Sequence, residues 1–190
     1  MGTSRQLSVV TVAPRGGVWR RVVRVALGAL AVAAAAQVAV PVPLSPVPMT
    51  LQPLAVLAVG GLLGAGAGAA ALVTYLALGL LGLPVFAGGS AGVVHLLGPT
   101  GGYLLAFPAA AAVMGRLAGP GAGVLRVLLA GALAMAVIHA GGVAQLALLG
   151  GSPATAFRMG FVPFFTGDLL KVGLAAGVIL GARSLRRGAH

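Results

Sequence analysis

The chain reads as an all-α, polytopic membrane protein with six transmembrane helices, and three observations carry that reading. Hydrophobic residues make up 59% of the 190 and charged residues only 7%, against about 25% charged in an ordinary globular domain. Mean hydropathy is +1.11. The apolar runs are continuous and do not alternate residue by residue, which argues against an outer-membrane barrel. The 32 glycines fit as well, since Gly is more frequent in membrane helices than in soluble ones.

The first 19 residues are polar and Gly-containing without helical periodicity, and read as a flexible basic tail. Residues 20–40 form the first predicted span. Arg15, Trp19, Arg20, Arg21 and Arg24 ahead of an apolar run resemble a signal peptide. The run is long for that, however, and ends in Pro41-Val42-Pro43 instead of a small-residue cleavage site. It therefore reads as a retained helix. Pro41, Pro43, Pro46 and Pro48 forbid its continuation and favour an extended loop. Hydrophobic segments at 51–63 and 65–81 follow, joined by a tight turn at Gly64-Ala65-Gly66. The first of them is short for the ~20 residues of a perpendicular span. A Gly-rich connection over 82–99 leads to a span at 102–117, then a turn at 116–126 containing Gly119-Pro120-Gly121. The fifth span is 125–149, the next loop 150–163 and the last span 164–180. Residues 20–182 make one membrane domain, and 183–190 a basic tail.

The net charge of +11 does not point to nucleic acid, because the arginines gather at the two ends and in one connection. That is how topology is written, with Lys and Arg in excess on the cytoplasmic side. Six spans put both termini on one side. Ten of the 12 basic residues then fall there: Arg5, Arg15, Arg20, Arg21, Arg24, Arg116, Arg126, Arg183, Arg186 and Arg187. Arg158 alone is external and Lys171 lies in the membrane. The expectation is a multi-pass protein of the cell membrane with cytoplasmic N- and C-termini and external loops at 41–50, 84–99 and 150–163.

Asp168 is the only acidic residue and Lys171 the only lysine. Three residues apart on a helix, they project from one face. A charge within a span costs about 2.5–3.5 kcal/mol on insertion scales and usually marks a partner or a function. At about 1.5 Å per residue, Asp168 lies roughly 7 Å below the external surface. That suits capture of a solute from outside, with the pair at the centre of a ligand site.

Other stretches converge on the same side. Thr50 and Gln52, in Pro46-Val47-Pro48-Met49-Thr50-Leu51-Gln52, offer donors and acceptors where the chain enters the membrane; irregular backbone is tolerated there only if buried or lining a cavity. They serve either a ligand or the start of a helix. Phe86, in Gly82-Leu83-Pro84-Val85-Phe86, and Tyr103, in Gly98-Pro99-Thr100-Gly101-Gly102-Tyr103, offer flat apolar walls, the tyrosine with a polar tip. The surrounding glycines read first as close helix packing. The second stretch lacks the Gly-Lys-Ser/Thr ending of a phosphate loop. His139 and Gln145 either line a cavity or hydrogen-bond a neighbouring helix, and the latter is favoured; His95 falls in an external loop.

These motifs, in this order and with the late Gly167-Asp168-x-x-Lys171, resemble the BioY family, the biotin-binding S components of energy-coupling-factor (ECF) transporters. The resemblance spans about residues 22–182. It implies a six-helix protein that binds biotin near its outer face and works with a transmembrane scaffold subunit and two ATP-hydrolysing subunits. It also implies that Asp168 and Lys171 contact biotin. Docking through Ala-x-x-x-Ala on the first helix is a habit of such components; Ala29-x-x-x-Ala33 and Ala31-x-x-x-Ala35 both fit. The ligand chemistry agrees. Ionised Asp168 accepts a ureido N–H in a charge-assisted bond. Lys171 pairs with the ligand carboxylate or donates to the ureido oxygen, and the residues do not choose between these.

The sequence also argues against other classes. A single acid supplies neither a carboxylate metal site nor two-carboxylate catalysis, no His pair has ligand spacing, and no nucleophile elbow is present. The expectation is a non-enzyme with no cofactor, whose active uptake requires partners because no nucleotide-binding motif is present. Two alternatives stand beside it. One is a component for another small vitamin or a facilitator acting alone. The other is a structural membrane protein in which Asp168 and Lys171 staple one helix.

Overall fold

The structure is a computed structural model and describes residues 16–150 and 152–188. Eight helices and one small ribbon follow in order: α1 (Gly16–Ala36), β1 (Ala39–Val40), β2 (Met49–Thr50), α2 (Gln52–Leu63), α3 (Ala65–Leu80), α4 (Val93–Leu97), α5 (Gly101–Leu117), α6 (Val124–Gly150), α7 (Pro153–Gly160) and α8 (Phe165–Arg187). The six predicted spans correspond to α1, α2, α3, α5, α6 and α8. Two of these, α6 and α8, are long and apolar enough by themselves to cross a membrane. The 12 residues of α2 rise only about 18 Å, so its ends meet protein and connecting segments.

Several boundaries differ from the sequence reading. Helix α1 starts at Gly16, inside the expected tail, and ends at Ala36 instead of residue 40; the rest of that tail lies outside the described residues. The chain then extends, and Ala39 and Val40 pair antiparallel with Thr50 and Met49. The proline loop is thereby closed into a clasp, a small β element in an otherwise helical chain. Helix α8 runs on through the basic residues to Arg187. Two connections expected as loops carry helices. Helix α7 begins with Ser152, whose Oγ accepts from the Thr155 N–H, followed by Pro153, a sound helix start. Helix α4 is a single short turn-rich segment of five residues.

Helix α5 is central and packs on α6, α3 and α2, while α1 lies on α3 and α2, α8 on α2 and α6, and α7 on α6. Lipid tails are as apolar as leucine, so these contacts are held by van der Waals fit and small residues more than by hydrophobic burial. Gly60 of α2 meets the Ala111 backbone of α5, where an added Cβ would come within 2.5 Å of the Ala111 carbonyl oxygen. Between α2 and α3 the chain reverses on Gly64, at φ +82°, a region other residues rarely enter. The core (Leu57, Leu72, Tyr75, Phe86, Met114, Ile138, Ile179) is fully buried, while Leu105, Leu129, Leu133, Leu170 and Leu174 face outward, as a lipid-facing surface requires.

At one end of the bundle the carbonyls that α5 leaves open are met by arginines. Arg126 Nε donates to Leu117 O at 2.8 Å, and Arg183 Nη2 donates to Ala118 O and to Gly61 O. Cations at a helix C-terminus are favourable there. This joins the end of α5, the start of α6 and the late part of α8. The buried polar residues Gln52, His139, Asp168 and Lys171 lie towards the opposite end.

Candidate functional site

A cavity of about 430 Å³ opens at that opposite end, within the range of small-molecule sites. Its polar side is built from helix starts: Gln52 opens α2, Tyr103 lies in the first turn of α5, and Asp168 and Lys171 lie in the first two turns of α8. Helix α6 passes alongside and contributes His139. All six residues singled out from the sequence (Thr50, Gln52, Phe86, Tyr103, Asp168, Lys171) line this one cavity. Pro46, Val94 and Pro99 form an exposed rim.

The charged pair forms as its i,i+3 spacing requires, with Lys171 Nζ donating to Asp168 Oδ1 at 2.9 Å. The other carboxylate oxygen, Oδ2, lies 2.6 Å from Nε2 of His139. Both Asp168 and Lys171 are only 6% exposed. Desolvating two charges is costly unless they are paired and hydrogen-bonded, and here they are both. Capacity remains for a ligand. Each carboxylate oxygen has a second lone pair, and the ammonium directs one of its three N–H groups at Asp168.

The second polar group centres on Gln52. Its Nε2 donates to Tyr75 Oη at 2.6 Å, its Oε1 accepts from Thr50 Oγ1 at 3.1 Å, and its own N–H donates back to Thr50 Oγ1. Thr50 therefore does serve the start of α2 while also facing the cavity. Tyr75, fully buried, is a partner that sequence reading did not single out.

The aromatic walls are held by glycines. Phe86 packs on Gly79, where any Cβ would fall inside its ring, and meets Tyr75 edge-on at 5.6 Å. The Tyr103 ring lies against Gly142 in the same way, and its hydroxyl donates to Gly160 O at 2.6 Å. The polar tip of Tyr103 thus ties α5 to the end of α7. Of the glycines read as packing positions, Gly79, Gly101 and Gly102 do pack closely, whereas Gly82 and Gly88 have open space beside them and stand at positive φ.

Three further residues fall in place. His139 both lines the cavity and bonds a neighbouring helix, combining the two roles weighed for it. His95 sits in α4, lines the cavity and contacts Phe86 edge-on at 6.0 Å. Gln145 is not in the lining; its Nε2 donates to Leu96 O at 2.8 Å and Gly98 O at 2.6 Å, fastening the α4 connection to α6.

Fold and site together define a helical membrane bundle with an apolar exterior and one polar-floored cavity of ligand size. The chain belongs to the BioY family, whose model matches residues 5–188. Among its relatives, it is 40% identical over 144 residues to a biotin transporter BioY of Thermotoga maritima, covering 76% of this chain and 85% of that one. To a probable biotin transporter BioY of Pyrococcus horikoshii it is 42% identical over 142 residues, covering 75% and 83%. The fold matches the crystal structure of the S-component for biotin from an ECF-type ABC transporter, with a TM-score of 0.81, 24% identity, and 91% and 95% of the two chains covered.

Proposed function

We propose that this chain is the biotin-binding, substrate-capture subunit of an ATP-driven ECF-type vitamin uptake transporter. Membership of the BioY family and relatives bearing the name biotin transporter support this. The observation that carries it to particular residues is the convergence of Asp168, Lys171, Gln52, Thr50, Phe86 and Tyr103 on one cavity. In this reading Asp168 accepts a ureido N–H, Lys171 donates to the ureido oxygen or the carboxylate, and Phe86 and Tyr103 cover the apolar bicycle. Gln52 and Thr50 contribute polar contacts at the side. No cofactor takes part, and biotin is cargo.

The protein crosses the cell membrane six times with both termini in the cytoplasm. The excess of arginine at the bundle end that carries Arg126 and Arg183 supports this orientation, with the cavity at the outer end. Energy comes from a transmembrane scaffold and two ATPase subunits. Burial favours one docking register on α1: Ala29 and Ala33 are buried within the bundle, whereas Ala31 is exposed and Ala35 half-buried. The Ala31-x-x-x-Ala35 face is therefore the one open to the scaffold.

The staple reading has one observation in its favour, since both Asp168 oxygens already hold internal partners. Calorimetric titration of the purified protein in detergent separates the readings. Biotin binds the wild type and unrelated vitamins do not. Asp168→Asn abolishes binding while the protein stays folded, and Lys171→Ala weakens it by roughly ten- to a hundredfold. Unchanged biotin affinity in both variants would leave only the staple.

A further inference from the structure

Four polar side chains are buried among the described residues: Gln52, His139, Asp168 and Lys171. His139 is the one that the ligand chemistry above does not use. Both of its ring nitrogens face oxygen. Nδ1 is 3.2 Å from the Gly160 carbonyl oxygen, and Nε2 is 2.6 Å from Asp168 Oδ2. A backbone carbonyl only accepts, so Nδ1 carries a hydrogen. The Nε2 contact needs a second hydrogen, on the nitrogen or on the carboxylate. Without it, two lone pairs would oppose each other at hydrogen-bond distance in a water-poor site. The couple is therefore an imidazolium with a carboxylate, or an imidazole with a carboxylic acid. Either way it is neutral as a unit, and with the Lys171 ammonium on Oδ1 the cluster carries one net positive charge.

The setting makes His139 a brace. Its Nδ1 side is anchored on a carbonyl that also accepts from Tyr103, so the imidazole is aimed from α6 by the end of α7. The rings of Phe161, Tyr103 and Phe164 surround it at centroid distances of 4.9, 6.0 and 6.3 Å. The titratable or charged groups facing it are Asp168 and Lys171 from α8 and Tyr103 from α5. Helix α2 presents only neutral Gln52 to the cavity, the α7 cation Arg158 is exposed, and His95 lines the same cavity from α4.

We propose that His139 is a positioning residue of the ligand site: its Nε2, 2.6 Å from Asp168 Oδ2, holds that carboxylate in the orientation a ligand meets, and removing the imidazole releases the carboxylate and weakens binding. This rests on the assignment of Asp168 to biotin made above. Without the imidazole, only Lys171 restrains Asp168.

The test is biotin affinity of the intact, detergent-purified protein, measured calorimetrically for wild type, His139→Gln and His139→Leu. The Gln variant, whose amide can still donate to Asp168, should bind within about tenfold of wild type. The Leu variant, which offers no donor, should lose about tenfold to a hundredfold and bind more weakly than the Gln variant. Thermal unfolding of the ligand-free variants reports folding separately, and should the Leu variant not fold, His139→Ala takes its place. A Leu variant that binds as tightly as wild type, or a Gln variant that binds no tighter than the Leu variant, overturns the role of His139 while leaving biotin binding intact. A wild type that binds no biotin overturns the functional assignment itself, and the role of His139 with it.

Discussion

At one end of the bundle Arg126 and Arg183 donate to the Leu117 and Ala118 carbonyls that α5 leaves open; at the other, Lys171 and His139 close on the single acid, Asp168, inside a cavity. Both ends thus spend charge on hydrogen bonds, but in different surroundings. The arginines lie at the edge of the bundle, Arg126 exposed and Arg183 half-buried with its Nη1 buried and unpaired among the described residues. The cavity residues are buried. A pair of ions there does little for stability that well-packed apolar residues would not do as well, so its presence is better explained by a ligand than by the fold. Charge at the arginine end closes a helix. Charge at the cavity end, in the proposed function, selects a solute.

Breaking each end separately sharpens that contrast. The largest effect is expected from Asp168→Asn combined with Lys171→Met, which removes both ions without stranding either. Biotin affinity in titration should fall by at least about a hundredfold, while thermal unfolding in detergent stays near wild type or rises. A smaller loss should follow Gln52→Leu. The Tyr75 hydroxyl then has no buried partner, a cost of about 1–3 kcal/mol in ligand-free stability, and adding Tyr75→Phe should recover part of it. The smallest effect belongs to the other end. Arg183→Ala should lower stability by about 0.3–1 kcal/mol and leave biotin affinity unchanged. A shift in affinity there would mean that the two ends are coupled through α8 and α5.

Much of the fold was legible because its signals are local. The apolar runs of α3, α5 and α6 lie within a residue or two of the predicted segments, and the turn at Gly64 stands where the glycines put it. Helix α4 was missed because five residues are too few to show a period. Helix α7 was missed although Ser152-Pro153 announces it, because eight residues of mixed polarity look like loop when read by hydropathy. The clasp of Ala39–Val40 on Met49–Thr50 pairs segments that neither alternate nor extend far enough to read as strands. Within the site, Asp168 and Lys171 were legible as a pair because helix geometry brings i and i+3 together. His139 lies 29 residues from Asp168 in sequence, and Tyr75 lies 23 from Gln52; no local rule joins them.

By itself, then, the sequence determined the membrane-protein class, the main helices, the lone ion pair and the side of the bundle on which the polar residues gather. Those depend on hydropathy, on Pro and Gly chemistry and on helical spacing, all of which act over a few residues. Only the tertiary structure decided that one cavity collects all of these residues, that His139 Nε2 meets Asp168 Oδ2 at 2.6 Å, that Tyr103 ties its hydroxyl to Gly160, and that Ala29 and Ala33 face inward. Each of these is a contact between helices, set by which small residues allow two backbones to approach, and such a choice is made across the bundle instead of along the chain.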